Sequence, residues 1–273
     1  MSIVRQGDLA SADLVIQTSK PVTLNTGVTG SITIPSDGTG RSGDVSISSI
    51  GNVTLTKSRI ESDTKDSDSG RNITFTSSRL VTLNQSQILS SISSTGTARN
   101  TNINTGEFTL LNGSSINSST SASGDASGIN LNVANTLNLY NSMLSASTSS
   151  SGKGGEITLN TGRLQLNNQS TISSNTTGIG NAGAVDITAD AMALSQSSIN
   201  SQSLGQGDSG TVKLDTNTLD LIDNAVISTA VSQSGTAGNL SITARDHINL
   251  QTGSQITSRS TGTGYAGTVE ITG

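Results

Sequence analysis

Apolar residues along this chain alternate with polar ones in short runs, and the runs return at a fixed interval. A first strand-like run carries two apolar positions. The earlier reads Val45, Ile73, Thr101, Ile129, Ile157, Val185, Val212, Leu240 and Val269, and the later reads Ile47, Phe75, Ile103, Leu131, Leu159, Ile187, Leu214, Ile242 and Ile271. Thr101 is the one polar intruder. A second run carries Val53/Leu55, Val81/Leu83, Phe108/Leu110, Leu137/Leu139, Leu164/Leu166, Met192/Leu194, Leu219/Leu221 and Ile248/Leu250. A third, shorter run is marked by Ile60, Ile88, Ile116, Leu144, Ile172, Ile199, Val226 and Ile256. Period-2 alternation with no helical periodicity predicts β-strands throughout.

The turn before each first strand shows the same interval. Gly-x-(Ala/Ser)-Gly occurs at Gly40–Gly43, Gly180–Gly183, Gly207–Gly210, Gly235–Gly238 and Gly264–Gly267, with degenerate copies starting at Asp68, Gly96, Gly124 and Gly152. These starts are spaced by 28 residues, once by 27 and once by 29. Three short strands cannot close a core alone, but stacked coils pair equivalent strands in register and bury a continuous interior. The expected fold is an all-β, right-handed, three-faced parallel β-helix of about 28 residues per coil, its hand following from the crossover rule. Residues 40–273 form eight full repeats and a partial ninth. Residues 1–39 read as an irregular N-terminal coil or cap, with strand-like pieces at Leu14-Val15-Ile16, Val22-Thr23-Leu24 and Ile32-Thr33-Ile34 and with both prolines, Pro21 and Pro35. Proline suits an edge because it removes a ladder donor. At the strand spacing of ~4.8 Å the rod is roughly 45 Å long.

Composition agrees with a narrow interior. The chain has no Trp or Cys, two Phe, two Tyr and 30 Gly, and only 12% of its residues are charged. A core one or two side chains across is filled by Val, Ile and Leu alone. A net charge of −5 supplies no basic stripe for a phosphate backbone, so nucleic acid is not an expected partner. No apolar run reaches the ~20 residues that cross a bilayer, and Met1–Arg5 does not resemble a signal peptide. The chain is therefore read as cytosolic or as part of a longer secreted protein.

Several motifs suggest chemistry, and the period accounts for most of them. Gly-x-Gly-x-x-Gly occurs at Gly38–Gly43, Gly178–Gly183, Gly205–Gly210 and Gly262–Gly267, but each leads into a strand, whereas a dinucleotide site needs a helix there. The glycines are expected to permit positive φ in a tight turn. Gly207-Asp208-Ser209-Gly210 resembles a protease nucleophile stretch, yet it is another copy of the turn. The sole histidine, His247, falls in a different coil and on a different face, outward and solvated. Asp63, Asp66 and Asp68 in the acidic stretch are a candidate Ca²⁺ set, the only cofactor in view, although their spacing fits no EF-hand loop.

The outward positions hold no paired carboxylates of the kind glycoside cleavage requires. On the first strand they read Ser46, Thr74, Asn102, Asn130, Thr158, Asp186, Lys213, Ser241 and Glu270, with Asp186 and Lys213 expected to form a surface ion pair. On the second they read Thr54, Thr82, Thr109, Asn138, Gln165, Ala193, Asp220 and Asn249, a threonine row that stops at Asn138. Neither tyrosine is expected on a strand face. No catalytic or cofactor-binding residue is assigned, and the chain is expected not to be an enzyme.

The unit Gly235-Thr236-Ala237-Gly238-Asn239-Leu240-Ser241-Ile242-Thr243-Ala244 through Leu250-Gln251-Thr252-Gly253-Ser254-Gln255-Ile256-Thr257-Ser258 resembles the repeat region of filamentous-haemagglutinin-like exoproteins of two-partner secretion systems, especially the large cyanobacterial ones. The resemblance covers about residues 40–273. It implies a right-handed parallel β-helix, export through an outer-membrane transporter and adhesion or aggregation at the cell surface, with surface glycans or other cells as partners. It supplies no catalytic residues. Members carry an N-terminal secretion domain and a signal peptide, neither of which is recognisable here, which favours a segment of a longer parent chain. The function expected is a rigid secreted or cell-surface stalk segment. The alternatives are a carbohydrate-binding or polysaccharide-cleaving β-helix and an ice-binding solenoid. The stop at Gly273, directly after a first strand, is read as a cut through a longer chain, with end-to-end association of rods as the bolder reading.

Overall fold

The computed structural model describes residues 14–18, 20, 22–25, 31–36, 44–64, 72–92, 95 and 99–273. Among them there is no helix, and every strand pair is parallel. The first coil holds β1 (Leu14–Thr18), β2 (Val22–Asn25) and β3 (Ser31–Ser36). The second holds β4 (Val45–Ser49), β5 (Val53–Thr56) and β6 (Arg59–Thr64). From the third coil on, the first two strands run together as one long strand followed by a short one. These pairs are β7 (Ile73–Asn84) and β8 (Gln87–Ile92), β9 (Thr101–Leu111) and β10 (Ser115–Thr120), and β11 (Ile129–Tyr140) and β12 (Met143–Ser145). They continue as β13 (Ile157–Asn167) and β14 (Thr171–Thr176), and β15 (Val185–Ser195) and β16 (Ser198–Ser203). The series closes with β17 (Val212–Ile222) and β18 (Val226–Val231), β19 (Leu240–Leu250) and β20 (Gln255–Ser260), and β21 (Val269–Thr272).

The result is a parallel β-solenoid of roughly 28 residues per turn. One sheet runs β1-β4-β7-β9-β11-β13-β15-β17-β19-β21, and the other runs from β3 through the short strands to β20. Equivalent residues stack directly: Ile73, Thr101, Ile129 and Ile157 are consecutive register partners, as are Val81, Phe108, Leu137 and Leu164. These ladders are the core. Nearly all of their members between Val45 and Leu221 are fully buried, each contributing about 1.5–3 kcal/mol of transfer free energy. In the last coil Val269 and Ile271 remain 43% and 50% exposed. Pro35 lies in β3, the outermost of the described strands of its sheet, where a missing N–H costs least. Pro21 lies outside the described residues.

Within each long strand the alternation breaks once. Between inward Val133 and Leu137 three residues face outward, and between inward Thr161 and Leu164 only two do. A flat strand alternates strictly, so these positions are corners between two faces of one hydrogen-bonded ladder. A second corner follows, where Lys57, Gln85, Asn112, Asn141 and Gln196 take positive φ. There the chain uses one left-handed residue (Asn141) or two in succession (Asn168 and Gln169; Asp223 and Asn224), and Asn and Asp tolerate that region best among residues with a side chain. The third arc, which contains the Gly-x-Ala-Gly turn, never varies: Ile60 to Phe75, Ile116 to Leu131 and Ile199 to Leu214 all advance fifteen positions. Coil length is therefore set at the first two corners. A coil has 27 residues when both corners are short, 28 when one is long and 29 when both are.

This arithmetic corrects one ladder assignment. Ile227, not Val226, stacks between Ile199 and Ile256, while Val226 pairs with Ser198 and Gln255 and is only half-buried. The second corner here is the long form, and Ala225 occupies the slot held by serine elsewhere. That slot is a ladder of its own. The backbone N–H of Ser58 donates to Ser86 Oγ (3.0 Å), Ser86 N–H to Ser114 Oγ (3.1 Å) and Ser142 N–H to Ser170 Oγ (3.2 Å). Each hydroxyl in turn donates to a carbonyl of its own corner, as Ser86 does to Asn84.

The glycines of the repeat turn also have a different cause from the one expected. Among the described residues, positive φ in glycine occurs at Gly113 and Gly253, neither of which belongs to that turn. A Cβ on Gly183 would lie 2.1 Å from the carbonyl oxygen of Gly155 in the preceding coil, and one on Gly210 would lie 2.1 Å from that of Gly183. Coil-on-coil contact, not turn conformation, excludes a side chain. Gly183→Ala is therefore expected to lower stability by about 2 kcal/mol or more. Gly113→Asn, at φ 80° with open space around it, should change stability by less than about 0.5 kcal/mol. Urea unfolding midpoints of the two variants distinguish the causes.

Thr101 is fully buried between Ile73 and Ile129, and its hydroxyl has no hydrogen-bond partner. Leaving a buried polar group unpaired costs about 1–3 kcal/mol. Thr101→Val keeps the shape and removes that cost, so it should raise stability by about 1 kcal/mol, read as an upward shift in the melting temperature.

Candidate functional site

The structure assigns the chemically suggestive motifs to inter-coil bonding. In Gly207-Asp208-Ser209-Gly210, Asp208 Oδ1 accepts the N–H of Thr236 at 2.7 Å, while the N–H of Asp208 donates to Asn181 Oδ1 at 2.9 Å. Ser209 is buried, and its Oγ accepts the N–H of Gly238 at 2.7 Å. Within a coil, Gly210 N–H donates to Ser201 Oγ, as Gly183 N–H does to Ser174 Oγ and Gly267 N–H to Ser258 Oγ. The Asp and Ser are thus rungs between coils, and the serine oxygen does not face solvent. His247 stands on the outer side of β19, its ring nitrogens 3.6 Å from Asp220 Oδ1 and 3.5 Å from Asp246 Oδ2. The Gly-x-Gly-x-x-Gly segments at 178–183, 205–210 and 262–267 lead into β15, β17 and β21. The copy at 38–43 lies outside the described residues.

Of the candidate Ca²⁺ residues, Asp63 lies in β6, paired with Pro35 and Ser91. Asp66 and Asp68 lie outside the described residues. Among the described residues no three His, Asp or Glu side chains gather closely enough to hold a metal.

The outer rows stack as the spacing implies. Asp186 and Lys213 are register neighbours but form no ion pair within 4 Å, which corrects that expectation. The threonine row gains Thr23 beside Thr54 and still ends at Asn138. Tyr140 was expected off the strands but closes β11, 46% exposed between Leu111 and Asn167. Several amides and carboxylates on or near these rows are engaged with the next coil. Asn130 Nδ2 donates to Asn102 Oδ1 (2.9 Å), Asn112 Nδ2 to Asn84 Oδ1 (2.8 Å) and Asn249 Nδ2 to Asp220 Oδ1 (3.1 Å).

One region departs from that pattern. Along the first corner a trough of about 350 Å³ runs from Asn132 to Arg245. Its origin is the variation in corner length. The coils that place Ala134-Asn135-Thr136 and Arg245-Asp246-His247 at this corner use three outward residues, whereas the three coils between them use two: Gly162-Arg163, Asp190-Ala191 and Asn217-Thr218. Three recessed corners bounded by two protruding ones make a trough. The hydroxyl of Thr161 donates to the carbonyls of Asn135 and Arg163, and that of Thr216 to those of Asp190 and Thr218, tying the floor down from inside.

Arg245 closes one end. Its Nη1 lies 2.6 Å from Asp215 Oδ1 and 3.3 Å from the Thr216 carbonyl. The hydrogen bond to Asp215, with its charge, holds the guanidinium above its ordinary pKa. Asn132, Asn160, Thr188, Asp190 and Asn217 are exposed along the trough, and their side chains make no hydrogen bond within the protein.

No protein-family model, curated protein or solved structure matches the chain.

The trough escapes a reading of the sequence because its residues belong to an ordinary outer row. Its signal is the run of three five-residue steps, Leu159 to Leu164, Ile187 to Met192 and Leu214 to Leu219, between two six-residue steps. If Ser209 is a structural rung, Ser209→Ala leaves Gly238 N–H without its acceptor and destabilises the chain by about 1–2 kcal/mol. A thermal melt checks this, and a serine-directed fluorophosphonate should leave the unmodified chain unlabelled.

Proposed function

We propose that this chain is a rigid segment of a secreted or cell-surface stalk, the repeat region of a large filamentous-haemagglutinin-like adhesin, whose role is structural and adhesive and not catalytic. The observation that carries this reading is the continuity of the solenoid. The first sheet is ten strands deep, and nine steps of ~4.8 Å give a rod about 43 Å long. Backbone, serine and Asx hydrogen bonds join each coil to the next along the described length. A solenoid of this kind resists bending because each coil contacts only its neighbours through a full layer of hydrogen bonds and apolar contact. The residue types that suggested chemistry are occupied by this bonding or stand alone in solvent.

In this role the chain leaves the cell unfolded through an outer-membrane transporter and folds outside, each coil templating the next. The absence of cysteine suits that route, since no disulfide has to be formed or reduced in transit.

Export is the test. Fused behind a two-partner secretion domain and co-expressed with its transporter, the chain should reach the medium or cell surface in a protease-resistant β-rich form and increase clumping or surface attachment of the cells. Retention in the periplasm, or release of reducing ends from a polysaccharide by the purified chain, would sink the proposal.

A further inference from the structure

The first-corner trough has features that a stalk does not need, and a rod lacking it would span the same distance. We infer that the trough binds a neutral, extended glycan chain laid along the solenoid axis. The inference goes beyond the stalk reading: it assigns the ligand-binding surface and the ligand class.

Three observations carry it. First, the amides here are left open. In the neighbouring row a stacked amide pair closes on itself: Asn130 Nδ2 donates to Asn102 Oδ1 at 2.9 Å. Asn132 in β11 and Asn160 in β13 are register partners, two residues along from Asn130 and Thr158, yet hold no such bond. Each presents two N–H donors and a carbonyl acceptor. With Thr188 and Asn217 they form a line of groups that both donate and accept, which is what sugar hydroxyls require.

Second, the shape fits a chain lying lengthwise. The recess spans three coils, about 14 Å along the axis at the strand spacing, and is bounded at both ends by the longer corners. Its floor carries Gly162, which leaves room for a ligand to sit low, above the inward-facing Ala189. A Cβ on Gly162 would meet the carbonyl oxygen of Asn135 at 2.8 Å, so the floor cannot readily fill.

Third, the charge selects against anions. Asp215 already pairs with Arg245 at 2.6 Å, which leaves Asp190 as the unpaired charge among the residues that line the trough. A uronic-acid or sulfated chain is repelled, and a neutral one is not. With no aromatic platform in the trough, each contact is weak, and attachment gains strength from many copies on one surface.

The experiment uses the purified full chain against short neutral oligosaccharides (glucan, galactan and mannan series) and uronic-acid oligomers, with binding followed by calorimetry. Saturable binding to at least one neutral series is expected, strengthening with oligomer length until the trough is filled. The double variant Asn132→Ala/Asn160→Ala should weaken it by roughly ten-fold or more without moving the melting temperature. Asn102→Ala, on the neighbouring row, should leave it unchanged. Inserting one residue between Asp190 and Ala191 raises the floor of the middle coil and should abolish binding while every polar group remains. Circular dichroism confirms that each variant is folded, and the Asn variants decide the matter if the insertion is not. Absence of binding to all neutral series, preference for the uronic-acid oligomers, or binding unmoved by the double Asn variant would overturn the inference. Release of reducing ends would instead overturn the stalk reading and leave the trough as a binding site.

Discussion

The stacking of one coil on the next, at the spacing a parallel ladder imposes, constrains almost every residue choice in this protein. At that separation the backbone of one turn lies in van der Waals contact with the backbone of the turn before it. A methyl group at Gly180 would fall 1.9 Å from the Gly152 carbonyl, and one at Gly207 would fall 2.0 Å from that of Gly180. The same proximity lets a hydroxyl or carboxylate in one coil reach an N–H in its neighbour, so Ser170 meets Ser142 and Asp208 meets Thr236. Polar side chains near the axis can then find partners in the neighbouring coil, with Thr101 as an exception. This explains how a chain so rich in Ser and Thr keeps a stable interior with few large side chains: the ladders supply apolar burial, and the hydroxyls satisfy the backbone at the corners.

Two kinds of corner follow from that constraint. The arc through the Gly-x-Ala-Gly turn is fixed at fifteen residues because its glycines and hydroxyls bond coil to coil, and one extra residue would shift every rung. The other two corners are held by local conformations, left-handed residues at one and a broken alternation at the other. Each can gain or lose a residue without disturbing the apolar ladders on either side. Val133 and Leu137 keep their stacking on Thr161 and Leu164 although the two corners differ in length.

The solenoid itself was legible in the sequence because apolar period and turn period coincide. A register error of one residue would have turned an entire ladder outward. Where the reading failed, the physical reasons are specific. Val226 mimics a rung of the third-strand ladder because Val and Ile are adjacent there and Ala225 removes the serine that marks the slot. Counting from the fixed arc places Ile227 in it, fifteen residues before Ile242. The turn glycines suggest positive φ because a one-dimensional pattern carries no information about the coil beneath. Tyr140 was placed off the strands because the strand extends one residue past its last apolar rung. The trough was invisible for a different reason: it is a difference between coils, and a repeat pattern emphasises what coils share.

That last point bears on how a solenoid acquires specific surfaces. Substitution on an outer row changes chemistry but not shape, since each side chain replaces its equivalent on a flat wall. A one-residue change at a permissive corner changes shape while the core and the fixed arc stay in register. Three short corners between two long ones therefore make a recess, and the row of side chains stacked beside it borders an open groove. Asn132 and Asn160 border it: they are of the same residue type as the Asn102–Asn130 pair and stack in register, yet beside the recess their amides remain open. Relief and chemistry thus arise together from corner length. In repeat proteins of this architecture the coils that depart from the modal length are the first places to look for a binding surface.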